Sequence, residues 1–143
     1  MKRTLLTLTV IPSLTGGLIL ELLENKGRNT FSYLLSYKKS VHPFTSINDI
    51  HIEKNDLAET WEREVPANEA EEILERLKGA NVSAMPTYAL GLDGTMYMLS
   101  VVNGMNEARF GWWHEVPEGW EAVGEVSESL LRMAGEFAAD RNV

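Results

Sequence analysis

Short runs with an apolar–polar period of two, separated by glycine, proline and asparagine turns, occupy most of this chain, and that pattern dictates a sheet of sequential strands. Residues 4–10 alternate Leu6, Leu8 and Val10 with Thr7 and Thr9, and a turn through Pro12-Ser13 and Gly16-Gly17 follows. Leu18–Glu24 is a leucine-dense second strand. After the turn Asn25-Lys26-Gly27-Arg28, Thr30–Lys38 is a third, with Phe31, Tyr33 and Leu35 on one face and Ser32, Leu34 and Ser36 on the other. Asp49–Lys54 alternates Ile50 and Ile52 with His51 and Glu53. In 56–66, the alternation of Trp61, Arg63 and Val65 with Glu62 and Glu64 favours an edge strand, with a short helix as the other reading.

The period changes at two places. Ala70, Ile73, Leu74 and Leu77 share one face of a helix over 69–78. Asn68 is placed to cap it in a box with Glu71, Glu72 and Arg76 stand at i,i+4, and Gly79 ends it. Beyond Pro117, Trp120, Val123, Ser127, Leu130, Leu131, Ala134, Phe137 and Ala138 trace a second helical stripe, which Gly124 either bends or starts late. Between the helices, Thr87–Leu92, Thr95–Val102 and Glu107–Trp113, joined by turns at Asp93-Gly94 and Asn103-Gly104, predict a three-stranded meander. The expected architecture is α+β: a mainly antiparallel sheet made of two meanders, with two helices packed on one face, in a single domain over 1–143.

The charge is lopsided. Residues 1–50 hold Lys2, Arg3, Lys26, Arg28, Lys38 and Lys39 against Glu21, Glu24 and Asp49, a balance of +3, so the remainder carries −11 of a total of −8. Such a surface repels phosphate backbones, which disfavours direct nucleic-acid binding and permits steering of a basic protein partner. There is no cysteine, so disulfides and thiolate metal sites are excluded. Lys2-Arg3 and the uncharged stretch Thr4–Leu20 imitate a signal peptide, but Pro12, Gly16-Gly17 and the strand period oppose that reading and any transmembrane helix, so a cytoplasmic protein without membrane contact is expected.

Catalytic and metal chemistry find no local pattern. His42, His51 and His114 lack ligand spacing, no G-x-S-x-G elbow occurs, and the glycines at 91, 94, 104 and 111 punctuate strands rather than cradle phosphate. No catalytic residue, metal or cofactor is therefore expected. The aromatic segment says more. Phe110, Trp112 and His114 fall on one strand face and Arg109, Gly111 and Trp113 on the other, so two adjacent indoles cannot enter one core. Either the sheet is covered on both faces or Trp113 remains a surface contact, a role for which tryptophan is enriched.

The runs Leu92-Asp93-Gly94-Thr95-Met96-Tyr97, Phe110-Gly111-Trp112-Trp113 and Pro117-Glu118-Gly119-Trp120, with the leucine-bearing helix after them, resemble small bacterial α+β proteins of uncharacterised function, some of which are immunity proteins beside toxins. The resemblance covers about the last sixty residues and carries over no functional residues. It implies a bacterial cytoplasmic protein. Three functions are then expected in order. The first is a non-enzymatic binding protein, an immunity protein or inhibitor that meets a basic, nuclease-like toxin through Glu62, Glu64, Glu115 and Glu118 with Trp113 as apolar anchor. The second is a small enzyme or ligand binder with a pocket around His114, using Tyr88, Tyr97 and Arg109. The third is a self-associating structural protein, a homodimer through an edge strand or the tryptophan face.

Overall fold

The computed structural model describes residues 1–44, 52–88, 91 and 94–136. Strands β1 (Lys2–Pro12), β2 (Leu18–Lys26), β3 (Phe31–Ser40) and β4 (Leu57–Val65) precede helix α1 (Ala67–Lys78). Strands β5 (Thr95–Asn103) and β6 (Asn106–Trp113) and helix α2 (Glu121–Met133) follow. All six strands form one antiparallel sheet in the order β4-β3-β2-β1-β5-β6, which makes the fold α+β as the periodicity predicts.

Two differences from the sequence reading have simple causes. The first member of the second meander, Thr87–Leu92, adds no strand among its described residues Thr87, Tyr88 and Gly91. The flanks of β5 are occupied by β1, with Leu8 opposite Leu99 and Val10 opposite Tyr97, and by β6, so no place remains beside it. A hairpin through Gly104, at φ 65°, is what joins β5 to β6, as the Asn-Gly signal indicates. The β4 edge strand forms where alternation favoured it. Asp49–His51 and Phe137–Ala138 lie outside the described residues, and Lys54 opens a short 3-10 turn, Lys54–Asp56.

Helix α1 starts two residues earlier than its capping box predicts. Pro66 takes the cap position, its carbonyl accepting from the amides of Glu69 and Ala70, and no side chain caps the helix. The constrained φ of Pro66 initiates the turn, which draws Asn68 into the helix. The expected Glu72–Arg76 pair forms at 3.1 Å. Helix α2 begins after Trp120, because Gly119 at φ 93° breaks the path from Pro117. At Gly124 a Cβ would fall 2.8 Å from Cγ1 of Val116, so glycine here lets the helix lie directly on the preceding loop.

The core occupies the helix side of the sheet. Leu6, Leu8, Leu20, Leu22, Leu35 and Leu99 are wholly buried there, under Ala70 and Ile73 of α1 and Val123, Val126, Leu130 and Leu131 of α2. Each such leucine contributes about 1.5–3 kcal/mol relative to exposure. The polar Ser127 is admitted because its Oγ donates to the Val123 carbonyl at 2.9 Å. At one border Glu24 is buried with the Arg3 guanidinium 2.6 Å away and Lys26 at 3.6 Å, so its charge is compensated.

Candidate functional site

The site is built where β6 ends and the chain turns back into α2. Trp112 and Trp113 project to opposite faces, as their adjacency in a strand requires. Trp112 is buried on the helix side and stacks on Tyr97, centroids 5.4 Å apart and planes 11° from parallel. Trp120 is buried near it, edge-on to Phe110 at 5.4 Å, with its indole N–H donating to the Ser83 carbonyl at 2.8 Å. Trp113 lies half-buried on the other face. Its ring is covered by backbone, since a Cβ at Gly91 would fall 2.5 Å from its Nε1 and one at Gly94 would fall 3.1 Å from Cε2.

His114 does not continue the strand face with Phe110 and Trp112. It follows β6 with φ 62°, and its amide donates to the Thr95 carbonyl at 2.8 Å, which holds this unfavourable backbone in place. The turn is fixed further by the Glu115 amide, which donates to the Trp113 carbonyl at 2.7 Å. A non-glycine residue in the left-handed region costs about 1–2 kcal/mol, a strain typical of functional loops.

Two contiguous grooves meet at this turn. One, of ≈ 480 Å³, follows the end of β6 and is lined by Trp113, His114, Glu115 and Glu118 together with Pro86 and Thr87. The other, of ≈ 700 Å³, runs between α2 and the sheet: Tyr97 and Trp112 line it with His114, Glu115, Glu121, Glu125 and Glu128, and Arg76 and Arg132 stand among them. Both are open to solvent. The Glu121 carboxylate accepts the Gly119 amide at 3.1 Å, and that backbone hydrogen bond holds its pKa below the ordinary carboxylate value.

The five carboxylate and indole residues singled out from the sequence divide into two groups. Trp113, Glu115 and Glu118 come together in the first groove. Glu62 and Glu64 are on β4, the opposite edge of the sheet from β6, with β3, β2, β1 and β5 between them. Glu62 is moreover engaged by Lys2 at 2.7 Å. Of the pocket residues considered around His114, only Tyr97 joins it. Arg109 is on the other face with its Nε donating to Glu107 at 2.7 Å, and Tyr88 is 88% exposed. The groove carboxylates Glu121, Glu125 and Glu128 were missed, although their i, i+4, i+7 spacing places them on one helical face.

Among the described residues, no group of three His, Asp or Glu is placed to hold a metal ion, and no helix is long and apolar enough to cross a membrane. His51 lies outside the described residues. The fold defines an α+β protein with one six-stranded antiparallel sheet backed by two helices. In comparisons with known proteins, no family model, no curated protein and no solved structure matches the chain.

Proposed function

We propose that the protein is a non-enzymatic binding protein whose grooves at the β6–α2 turn receive a basic segment of a partner protein. The observation that carries this reading is the convergence of Trp113, Glu115 and Glu118 in one groove, continued by Glu121, Glu125 and Glu128 above the Tyr97–Trp112 stack. Carboxylates along such a concavity attract Lys and Arg over a distance of about a Debye length, and the aromatic floor offers a cation a π face at close range. Arg76 and Arg132 on the α2 side give the groove a polarity, so a bound basic segment would place its own acidic residues toward them.

In its finer form the reading is an immunity protein or inhibitor in the bacterial cytoplasm, acting on a nuclease-like toxin whose phosphate-binding cleft is basic. The acidic groove would compete with nucleic acid for that cleft. Affinity capture from the native host at low and high salt tests it, with wild type beside a Glu115→Lys/Glu118→Lys variant. Enrichment of a basic protein by wild type at low salt, lost at high salt and in the variant, is the expected result. Equal recovery by both baits, or none of any basic protein, defeats the reading.

A second reading, a small-molecule binder, is favoured by the strained His114 beside the Tyr97–Trp112 stack. Its sign would be a ligand-dependent rise in Tm that His114→Ala abolishes.

A further inference from the structure

A cavity of ≈ 370 Å³ lies between the C-terminal half of α1 and the ends of β1, β2, β3 and β5, and it shares no lining residue with the two grooves at the β6–α2 turn. Leu5 and Leu6 of β1, Leu74 and Leu77 of α1 and Val101 of β5 give it aliphatic walls. Leu74, Leu77 and Val101 pack on the core yet stay only partly buried, so apolar surface is left around the cavity.

Arg3 reaches this cavity through an irregularity in β1. It is opposite Glu24, Thr4 is opposite Leu23 and Leu6 is opposite Leu22, which leaves Leu5 as an extra residue against β2. Strict alternation from Leu6 and Leu8 would send Arg3 to the open face of the sheet, away from the helices, with Thr7 and Thr9. The bulge reverses that and brings the guanidinium to Glu24 at 2.6 Å on the core side. Bulges recur beside binding sites for this reason: they re-aim a side chain.

Tyr33 is the second departure from ordinary packing. It is 7% exposed, lines the cavity and stands edge-on to Phe31. Among the described residues, none pairs with its hydroxyl. Buried hydroxyls are almost always hydrogen-bonded, so the partner comes from whatever fills the cavity. Burial, and then the charges of Glu71 and Glu24, push the Tyr33 pKa above 10.0, so at neutral pH the group keeps a proton to donate.

We infer that this cavity binds a medium-chain aliphatic carboxylate, its tail against the leucines and its head group on the Tyr33 hydroxyl and the Arg3 guanidinium. The charge of the head follows from the donors. Tyr33, Arg3 and Lys78 all border the cavity, while its one carboxylate, Glu24, is already held by Arg3 and by Lys26 at 3.6 Å. An acceptor is what the site lacks, and an anionic acceptor makes the strongest bonds to such donors. A cationic head would face Arg3 and Lys78 instead. The length of the tail follows from the volume, which is at the small end of the roughly 300–1,000 Å³ of ordinary ligand pockets.

Isothermal titration calorimetry of the full chain with octanoate tests it, with octanol and octylamine beside it. Octanoate is expected to bind at a single site with a submillimolar Kd, octanol about tenfold or more weaker, and octylamine not at all. Tyr33→Phe keeps the ring and removes only the donor, and it raises the octanoate Kd by about tenfold or more. Leu77→Trp fills the cavity, abolishes binding, and serves if Tyr33→Phe loses its circular dichroism signature. Glu115→Lys/Glu118→Lys, in the groove, leaves octanoate binding unchanged, so this site and the capture of a basic partner fail independently. Absence of saturation up to roughly 5 mM octanoate, weak for a ligand of that size in a matching pocket, overturns the proposal. So does octanol that binds as tightly as octanoate, or a folded Tyr33→Phe that binds octanoate as wild type does.

Discussion

Lys2 Nζ and Glu62 Oε1 stand 2.7 Å apart although β2 and β3 separate the strands that carry them. The pair crosses the open face, which the twist of the sheet permits by curling diagonal corners toward each other. It withdraws Glu62 from the set of carboxylates available to a partner and places it at the edge remote from the groove. Both groups are well exposed, so Lys2→Ala is expected to lower stability by less than about 1 kcal/mol in urea unfolding. In the captured complex, Glu62→Lys is expected to change Kd by less than about threefold, against tenfold or more for Glu115→Lys/Glu118→Lys. Equal losses from the two substitutions would remove the distinction drawn between the edges.

The two adjacent tryptophans should differ in what they contribute. Trp112, stacked on Tyr97 and buried under α2, should cost about 3–5 kcal/mol when replaced by alanine. Trp113, half-buried against Gly91 and Gly94, should cost about 1–2 kcal/mol from its smaller buried area and weaken partner binding besides. Chemical denaturation of both variants, with binding measured on the folded one, separates packing from recognition.

At His114 the backbone has φ 62°, a conformation glycine adopts freely. His114→Gly is therefore expected to hold stability or raise it by up to about 1 kcal/mol, whereas His114→Val should lower it by about 1–2 kcal/mol. The difference in Tm between these variants reads the strain directly. A glycine variant much less stable than wild type would mean that the imidazole itself holds the turn.

Tyr37 gives a pH-dependent test at the other side of the core. Its hydroxyl donates to Glu136 at 2.6 Å and its ring stacks on Trp61, centroids 4.8 Å apart. Burial first, and then the hydrogen bond to Glu136, push its pKa well above the ordinary 10.0. A folded pKa above the unfolded one gives a stabilisation that is complete below about pH 10. It is lost as pH rises further, because the unfolded chain releases that proton first. Wild type should lose stability above pH 10 more steeply than Tyr37→Phe, which should cost about 1–2 kcal/mol at neutral pH through the lost hydrogen bond. Parallel alkaline profiles would show that the hydroxyl is not linked to folding.

Local pattern made much of this architecture legible. Period-two alternation placed β1, β2, β3, β5 and β6 to within a few residues, because a strand with one buried face must alternate. The 3.6 period of Ala70, Ile73, Leu74 and Leu77 placed α1 for the corresponding reason, and the Asn103-Gly104 signal placed the β5–β6 turn. Adjacency in a strand was enough to send Trp112 and Trp113 to opposite faces. The grouping of Trp113 with Glu115 and Glu118 was also accessible, since they lie within a few residues of one turn.

What alternation could not supply was the pairing of distant elements. That β5 docks on β1 rather than beside Thr87–Leu92 depends on contacts across some ninety residues of chain, and a strand's hydrogen-bonding edges carry no mark of which neighbour will use them. The same non-local choice sets β4 and β6 at opposite edges, separating Glu62 and Glu64 from the groove that equal charge alone had joined them to. It also brings α2 over Tyr97 and Trp112, so that Glu121, Glu125 and Glu128, unremarkable as a helical face, line the same concavity as Glu115. Side-chain periodicity reports which faces of each element are buried. The partners of those faces are chosen when the whole apolar surface is buried at once, and the candidate site is a consequence of that choice.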